Sequence, residues 1–212
     1  MSLIDQPIRY VIDSTALDIA VDVNNHKTDA GTQKSARPWL TICLEPISHT
    51  LLTFVLSLKL PGPEVIKLLL HQALQPSSDY PYGRRPDILQ VDYAFLFAVL
   101  QSQGLFQKLQ IAVERFPLQP QGIVERLFDA LHLSLQTHFS AFFNAGEEIE
   151  GETSLSSLRR PSLSQLENVC TQWAGSYSPL LQGQRQHEFF DYCQTRWQLS
   201  PVDPHELDLL LT

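Results

Sequence analysis

Three carboxylates stand where a folded chain can hold them rigidly. Asp13 closes the run Ile8-Arg9-Tyr10-Val11-Ile12, rich in β-branched and aromatic residues as buried strands are. Asp92 closes a second apolar run, Ile88-Leu89-Gln90-Val91. Glu125 falls in the first turn of an amphipathic stretch, residues 122–135. An acid at the end of an apolar strand is costly to bury unless a cation or hydrogen-bond donors meet it. Hard divalent cations such as Mg²⁺ take oxygen ligands, often only one or two carboxylates, and leave other positions to water and phosphate oxygens. Two such ions about 4 Å apart activate a hydroxyl and stabilise the leaving oxygen of an in-line displacement. A phosphodiester binds the metals directly, so this chemistry needs few acids and no catalytic histidine. The expectation is that Asp13, Asp92 and Glu125 meet and hold divalent ions.

Each acid alone has a plainer reading. An aspartate after a strand often serves a turn or caps a helix. A glutamate in a first helical turn favours the helix dipole. Asp18 and Asp22 read as solvent-facing strand residues, and Asp129 as a solvated helix residue that could substitute for Glu125. His132 and His138 read as surface or packing residues, Trp39 and Phe128 as core, and Arg84-Arg85 as a solvated loop.

The elements around the acids follow from periodicity. Residues 8–23 read as one strand whose second half alternates apolar and polar, and residues 24–35 as a loose hairpin loop. Residues 38–44 and 51–58 read as a second and a third strand, and the three as an antiparallel meander. After Pro61-Gly62-Pro63 the period becomes helical, with apolar positions Val65, Ile66, Leu68, Leu69, Leu70 and Leu74, Pro63 near the start and Pro76 closing the helix. A turn-rich segment, 77–86, leads to a fourth strand at 88–92. A helix at 94–103, a fifth strand at 109–113, a proline-flanked loop at 117–120 and the Glu125 helix complete the expected core. That order predicts a mixed α/β sheet flanked by helices. Residues 145–161 read as an acidic, serine-rich linker, followed by helices at 162–173 and 184–197 and a short one from Pro204.

Composition sets bounds. A 43% apolar fraction over 212 residues supports a substantial core. No run approaches the roughly 18 apolar residues of a membrane span. The start of the chain lacks the basic-then-apolar pattern of a signal peptide. Met1-Ser2-Leu3 leads almost directly into the first strand, which suggests a piece of a longer protein. Three well-separated cysteines, Cys43, Cys170 and Cys193, have no metal-ligand spacing. They point to a reducing, cytoplasmic setting. The net charge of −8 opposes generic nucleic-acid affinity.

Read with their flanks, the three acids resemble the acidic triad of the DDE transposase and retroviral integrase catalytic core superfamily. The flanks are most similar to the phage Mu and Tn-type bacterial transposases. Ile12-Asp13-Ser14-Thr15, followed by Leu17-Asp18-Ile19, resembles the first-strand motif, and Arg37-Pro38-Trp39-Leu40-Thr41 the opening of the second strand. Val91-Asp92 matches the second acid, and Gly122-Ile123-Val124-Glu125-Arg126 with Phe128 the helix that carries the third. Thirty-two residues separate Asp92 from Glu125, close to the family's usual gap. The resemblance is strongest over residues 8–140.

It implies a ribonuclease-H-like fold: a mixed five-stranded sheet flanked by helices, with a C-terminal helical extension. The implied division is a catalytic core over 1–143, an acidic linker over 144–161 and the extension over 162–212. The implied activity is metal-dependent cleavage at the 3′ ends of a mobile DNA element and strand transfer into target DNA. Asp13, Asp92 and Glu125 would hold two Mg²⁺ or Mn²⁺ ions, bound together with DNA. The partners would be element ends and target DNA, further copies of the chain in a multimer on DNA, and other transposition proteins, with no membrane. The sequence also departs from the family. Tyr93-Ala94 follows the second acid in place of Asn-Gly. Ile123 stands where a basic residue is often found, and Ile47-Ser48-His49 replaces tyrosine-serine-arginine. Each change removes a phosphate or substrate contact. Two alternatives therefore stand beside the transposase: a non-catalytic assembly module of the same fold, and a nuclease of that fold using water in place of a DNA hydroxyl.

Overall fold

The computed structural model describes residues 7–23, 35–46, 49–75, 85–91, 104–115, 122–140 and 160–177. Asp92, Cys193, the helices expected at 94–103 and 184–197, the loops at 24–34, 77–84 and 117–120, and most of the linker lie outside these residues.

Five strands form one mixed sheet. They are β1 (Arg9–Ala16), β4 (Trp39–Glu45), β5 (Thr50–Ser57), β6 (Ile88–Val91) and β7 (Ala112–Arg115). Their order is β5-β4-β1-β6-β7. β1 lies antiparallel to β4 and parallel to β6, β4 lies antiparallel to β5, and β6 parallel to β7. The first strand in sequence is thus the central one, hydrogen-bonded on both sides. A two-stranded ribbon of β2 (Val21–Asp22) and β3 (Ser35–Ala36) stands apart.

Strand alternation sends successive β1 side chains to opposite faces. Tyr10 and Ile12 join Cys43, Leu52, Leu89 and Val91 beneath α1 (Pro63–Leu74) and the short α2 (Leu105–Lys108). Val11 joins Leu40, Ile42 and Leu44 beneath α3 (Ile123–His138) and α4 (Leu163–Ser176). The sheet is therefore covered on both faces, as a parallel-containing sheet must be. Helix α1 has Pro63 at its start, where no amide partner is needed, and buries Ile66, Leu69, Leu70, Ala73 and Leu74. Helix α3 buries Val124, Leu127, Leu131 and Leu135, a three- and four-residue spacing that sets one stripe against the sheet.

Two expected strands take a different form. The continuous strand over 8–23 stops at Ala16, where the Leu17 amide donates to the Pro38 carbonyl at 2.9 Å, and resumes only as β2. Leu17, Ile19 and Val21 are all buried, so the period of two reports burial correctly although the ladder is broken. The fifth strand begins at Ala112, later than the expected 109. Leu109 and Ile111 are buried against α2, and Gln110 between them adopts a left-handed φ of 54° that turns the chain. No described helix is long and apolar enough to cross a membrane.

Candidate metal centre

Asp13 sits in the C-terminal half of β1, with Ile42 of β4 as its cross-strand partner. The β1–β4 register runs without a break from Val11 to Ala16, so Asp13 shares the face of Val11, which α3 and α4 cover. Its side chain is half-buried. The Ser14 amide donates to Asp13 Oδ1 at 2.7 Å, which meets part of the desolvation cost of a carboxylate in this position. Ser14 faces the opposite side of the sheet, and its hydroxyl donates to Thr41 Oγ1 at 3.0 Å. Thr41 is a fully buried hydroxyl in an apolar strand.

Glu125 lies in the first turn of α3 and is exposed, between the buried Val124 and the neighbouring Leu127. Val124 and Leu127 belong to the hydrophobic cluster that also holds Val11 and Ile42. One sheet face therefore carries Asp13, and the helix packed on that face carries Glu125. The third acid, Asp92, lies outside the described residues. The residue before it, Val91, pairs with Ile12, the residue before Asp13. Among the described residues no three His, Cys, Asp or Glu side chains are grouped to hold a metal ion. The donors that are described, Asp13 and Glu125, are both carboxylates and suit a hard cation that prefers oxygen.

The other titratable groups are ordinary in role. Arg126 follows Glu125 and donates from Nε to the Gly122 carbonyl, and no side-chain cap bond forms at the helix start. Its charge reaches two neighbours. His49 is held below its usual range, chiefly by burial and then by Arg126. Tyr177 is raised by burial, against which the Arg126 charge acts. His132 contacts Gln136 Nε2 at 3.0 Å, and His138 Nδ1 lies 2.9 Å from the Ser134 carbonyl. Both contacts are local to the surface of α3. The Cys43 thiol is raised strongly by burial, and that of Cys170 to about 12 by burial and then by Glu167. Neither is a thiolate near neutral pH, so neither offers soft metal ligation or nucleophilic chemistry.

Asp18 is exposed and lies 3.7 Å from Arg37, and Asp129 is exposed on α3. What sequence reading missed is the Ser14–Thr41 hydroxyl pair. Both residues were visible as polar positions in apolar strands, but their meeting depends on the β1–β4 register.

No family model matches the sequence, and no curated protein sequence matches it. Among solved structures, the chain is similar to the catalytic core domain of BIV integrase, with a TM-score of 0.52. That likeness covers 92% of this chain and 99% of the other, at 15% sequence identity. The fold is ribonuclease-H-like. It is the fold of a retroviral integrase core, with the same mixed five-stranded sheet and flanking helices. A weaker likeness, at TM-score 0.47 and 16% identity, is to a chain of the simian T-cell lymphotropic virus intasome in complex with PP2A regulatory subunit B56 gamma. It covers 86% of this chain and 59% of that one.

Proposed function

We propose that this ribonuclease-H-like chain is the catalytic core of a DDE-type DNA transposase or integrase, cutting phosphodiester bonds at element 3′ ends and joining them to target DNA. The observation that carries the reading is the shared hydrophobic cluster. It unites Val11 and Ile42, the strand neighbours of Asp13, with Val124 and Leu127, which flank Glu125 on α3. Two carboxylates 112 positions apart thereby come to one side of the sheet, on a central strand and a packed helix. Asp92 enters from the sequence motif alone. The intasome named above belongs to another protein; DNA and multimeric assembly are proposed for this chain from its motifs and fold.

Divalent cations, when bound, would supply activation of the attacking hydroxyl and neutralisation of charge on the leaving oxygen. The chain's own part is placement. Asp13 offers oxygens from the most constrained strand of the sheet, and Glu125 offers its own from a helix start that the hydrophobic stripe fixes. Fixed carboxylates hold charge in place without reorganising during the reaction. Asp13→Asn and Glu125→Gln keep side-chain shape and remove charge. Each is expected to lower Mg²⁺- or Mn²⁺-dependent strand transfer by at least about a hundredfold, read from labelled element ends joined to target DNA. Activity within a fewfold of wild type in Asp13→Asn would defeat the reading. Release of cut ends without joining would instead identify a nuclease.

A second reading, the non-catalytic assembly module, is favoured by the net charge of −8 and by Tyr93-Ala94 in place of Asn-Gly. Under it the wild-type chain binds no divalent ion at these acids and transfers no strand, yet associates with other transposition proteins.

A further inference from the structure

We infer that Thr41 is a positioning residue for the Asp13 carboxylate, acting through Ser14; the inference rests on the metal-site reading above. The three residues form one connected path. Asp13 Oδ1 accepts the Ser14 amide at 2.7 Å. The Ser14 hydroxyl donates to Thr41 Oγ1 at 3.0 Å. Ser14 and Thr41 are also direct cross-strand partners, so one side-chain bond and the strand ladder fix the same residue.

The setting makes this pair unusual. Thr41 is one of two buried polar or charged residues among the described residues, the other being Glu45. Its strand neighbours Leu40, Ile42, Cys43 and Leu44 are all buried and apolar. A valine of the same shape would avoid desolvating a hydroxyl. Core packing alone therefore gives no reason for threonine here. The hydroxyl pair does give one, because it fixes the rotamer of Ser14 and the register of β1 against β4. A slip of one residue would carry Asp13 to the α1 face, away from α3. With Ser14 held, its amide stays aimed at Asp13 Oδ1. Partners that orient a ligating carboxylate in this way commonly tune metal affinity.

The test uses Mn²⁺ alone as probe, titrated calorimetrically into the full chain, with thermal unfolding followed in parallel. Thr41→Val is expected to fold with wild-type or higher stability and to bind Mn²⁺ about threefold to tenfold more weakly. Thr41→Ser, which keeps the hydroxyl, is expected to restore affinity to within about twofold. Asp13→Asn is expected to abolish binding. If Asp13→Asn abolishes binding while Thr41→Val binds as wild type, the positioning role is overturned and the metal site stands. If Thr41→Ser binds as weakly as Thr41→Val, the hydroxyl is not the cause and the inference is again overturned. If wild type binds no Mn²⁺, or Asp13→Asn binds it normally, the metal site itself falls and the inference with it.

Discussion

Asp13 already has a hydrogen-bond donor in the Ser14 amide, so its half-burial does not require a cation. An asparagine keeps the accepting oxygen, and Asp13→Asn is accordingly suited to separating function from folding. His49 behaves differently. Burial, and then the Arg126 charge, lower its pKa from 6.5 in the folded protein. An unfolded chain would take up a proton near pH 6.5 that the folded chain resists. The linkage sign follows: His49 makes no difference well above pH 6.5, and it destabilises the fold as pH falls below that value. Urea unfolding midpoints are expected to drop between about pH 7 and pH 5. His49→Gln should flatten that part of the profile and leave the midpoint near pH 8 little changed. A profile of equal slope in both proteins would show that other groups set the acid limit.

At the scale of elements, α4 shows how local chemistry and packing agree. Ser162 caps the helix: the Gln165 amide donates to Ser162 Oγ at 3.2 Å, and the Ser162 amide donates to Gln165 Oε1 at 2.8 Å. Both bonds are exposed, so removing one is expected to cost about 1 kcal/mol. Ser162→Ala should therefore lower the unfolding free energy by that amount in chemical denaturation, with Ser162→Asp recovering most of it. This helix was legible in the sequence because its cap and its apolar spacing, Leu166, Cys170, Trp173, are both local signals. The β4 and β5 strands and α1 were legible for the same reason. The breaks after Ala16 and at Gln110 were not. A period of two marks which side chains are buried, and Leu17, Ile19, Leu109 and Ile111 are buried without belonging to strands. For the site, the sequence supplied three acids in order. Which face Asp13 takes depends on register against β4, a relation between distant residues that no single stretch encodes. The Ser14–Thr41 pair was hidden for the same reason.

For the whole molecule, the question is whether the sheet with α3 is complete without α4. Leu166, Cys170, Trp173 and Ala174 of α4 are buried in the same cluster as Val11, Ile42 and Leu131. Trp173 also stacks on Tyr177 with ring centroids 4.9 Å apart. The lead-in to the helix is tied to the ribbon, since the Asp22 amide donates to the Pro161 carbonyl at 3.0 Å and Asp22 bridges Ser162. Burying a large apolar side chain contributes about 1.5–3 kcal/mol, so Leu166 and Trp173 with the smaller Cys170 together contribute about 4–7 kcal/mol. Typical domains are stable by about 5–15 kcal/mol in total. Loss of α4 therefore removes a large share of the margin and uncovers the face on which Asp13 lies. A chain ended at residue 159 is expected to lose its cooperative urea transition, or to have a midpoint at most about half that of the full chain. It should also bind a hydrophobic dye, as an uncovered sheet face does. An unchanged midpoint would mean that the sheet and α3 hold the Asp13 face unaided, and that α4 is an appendage to a self-sufficient core.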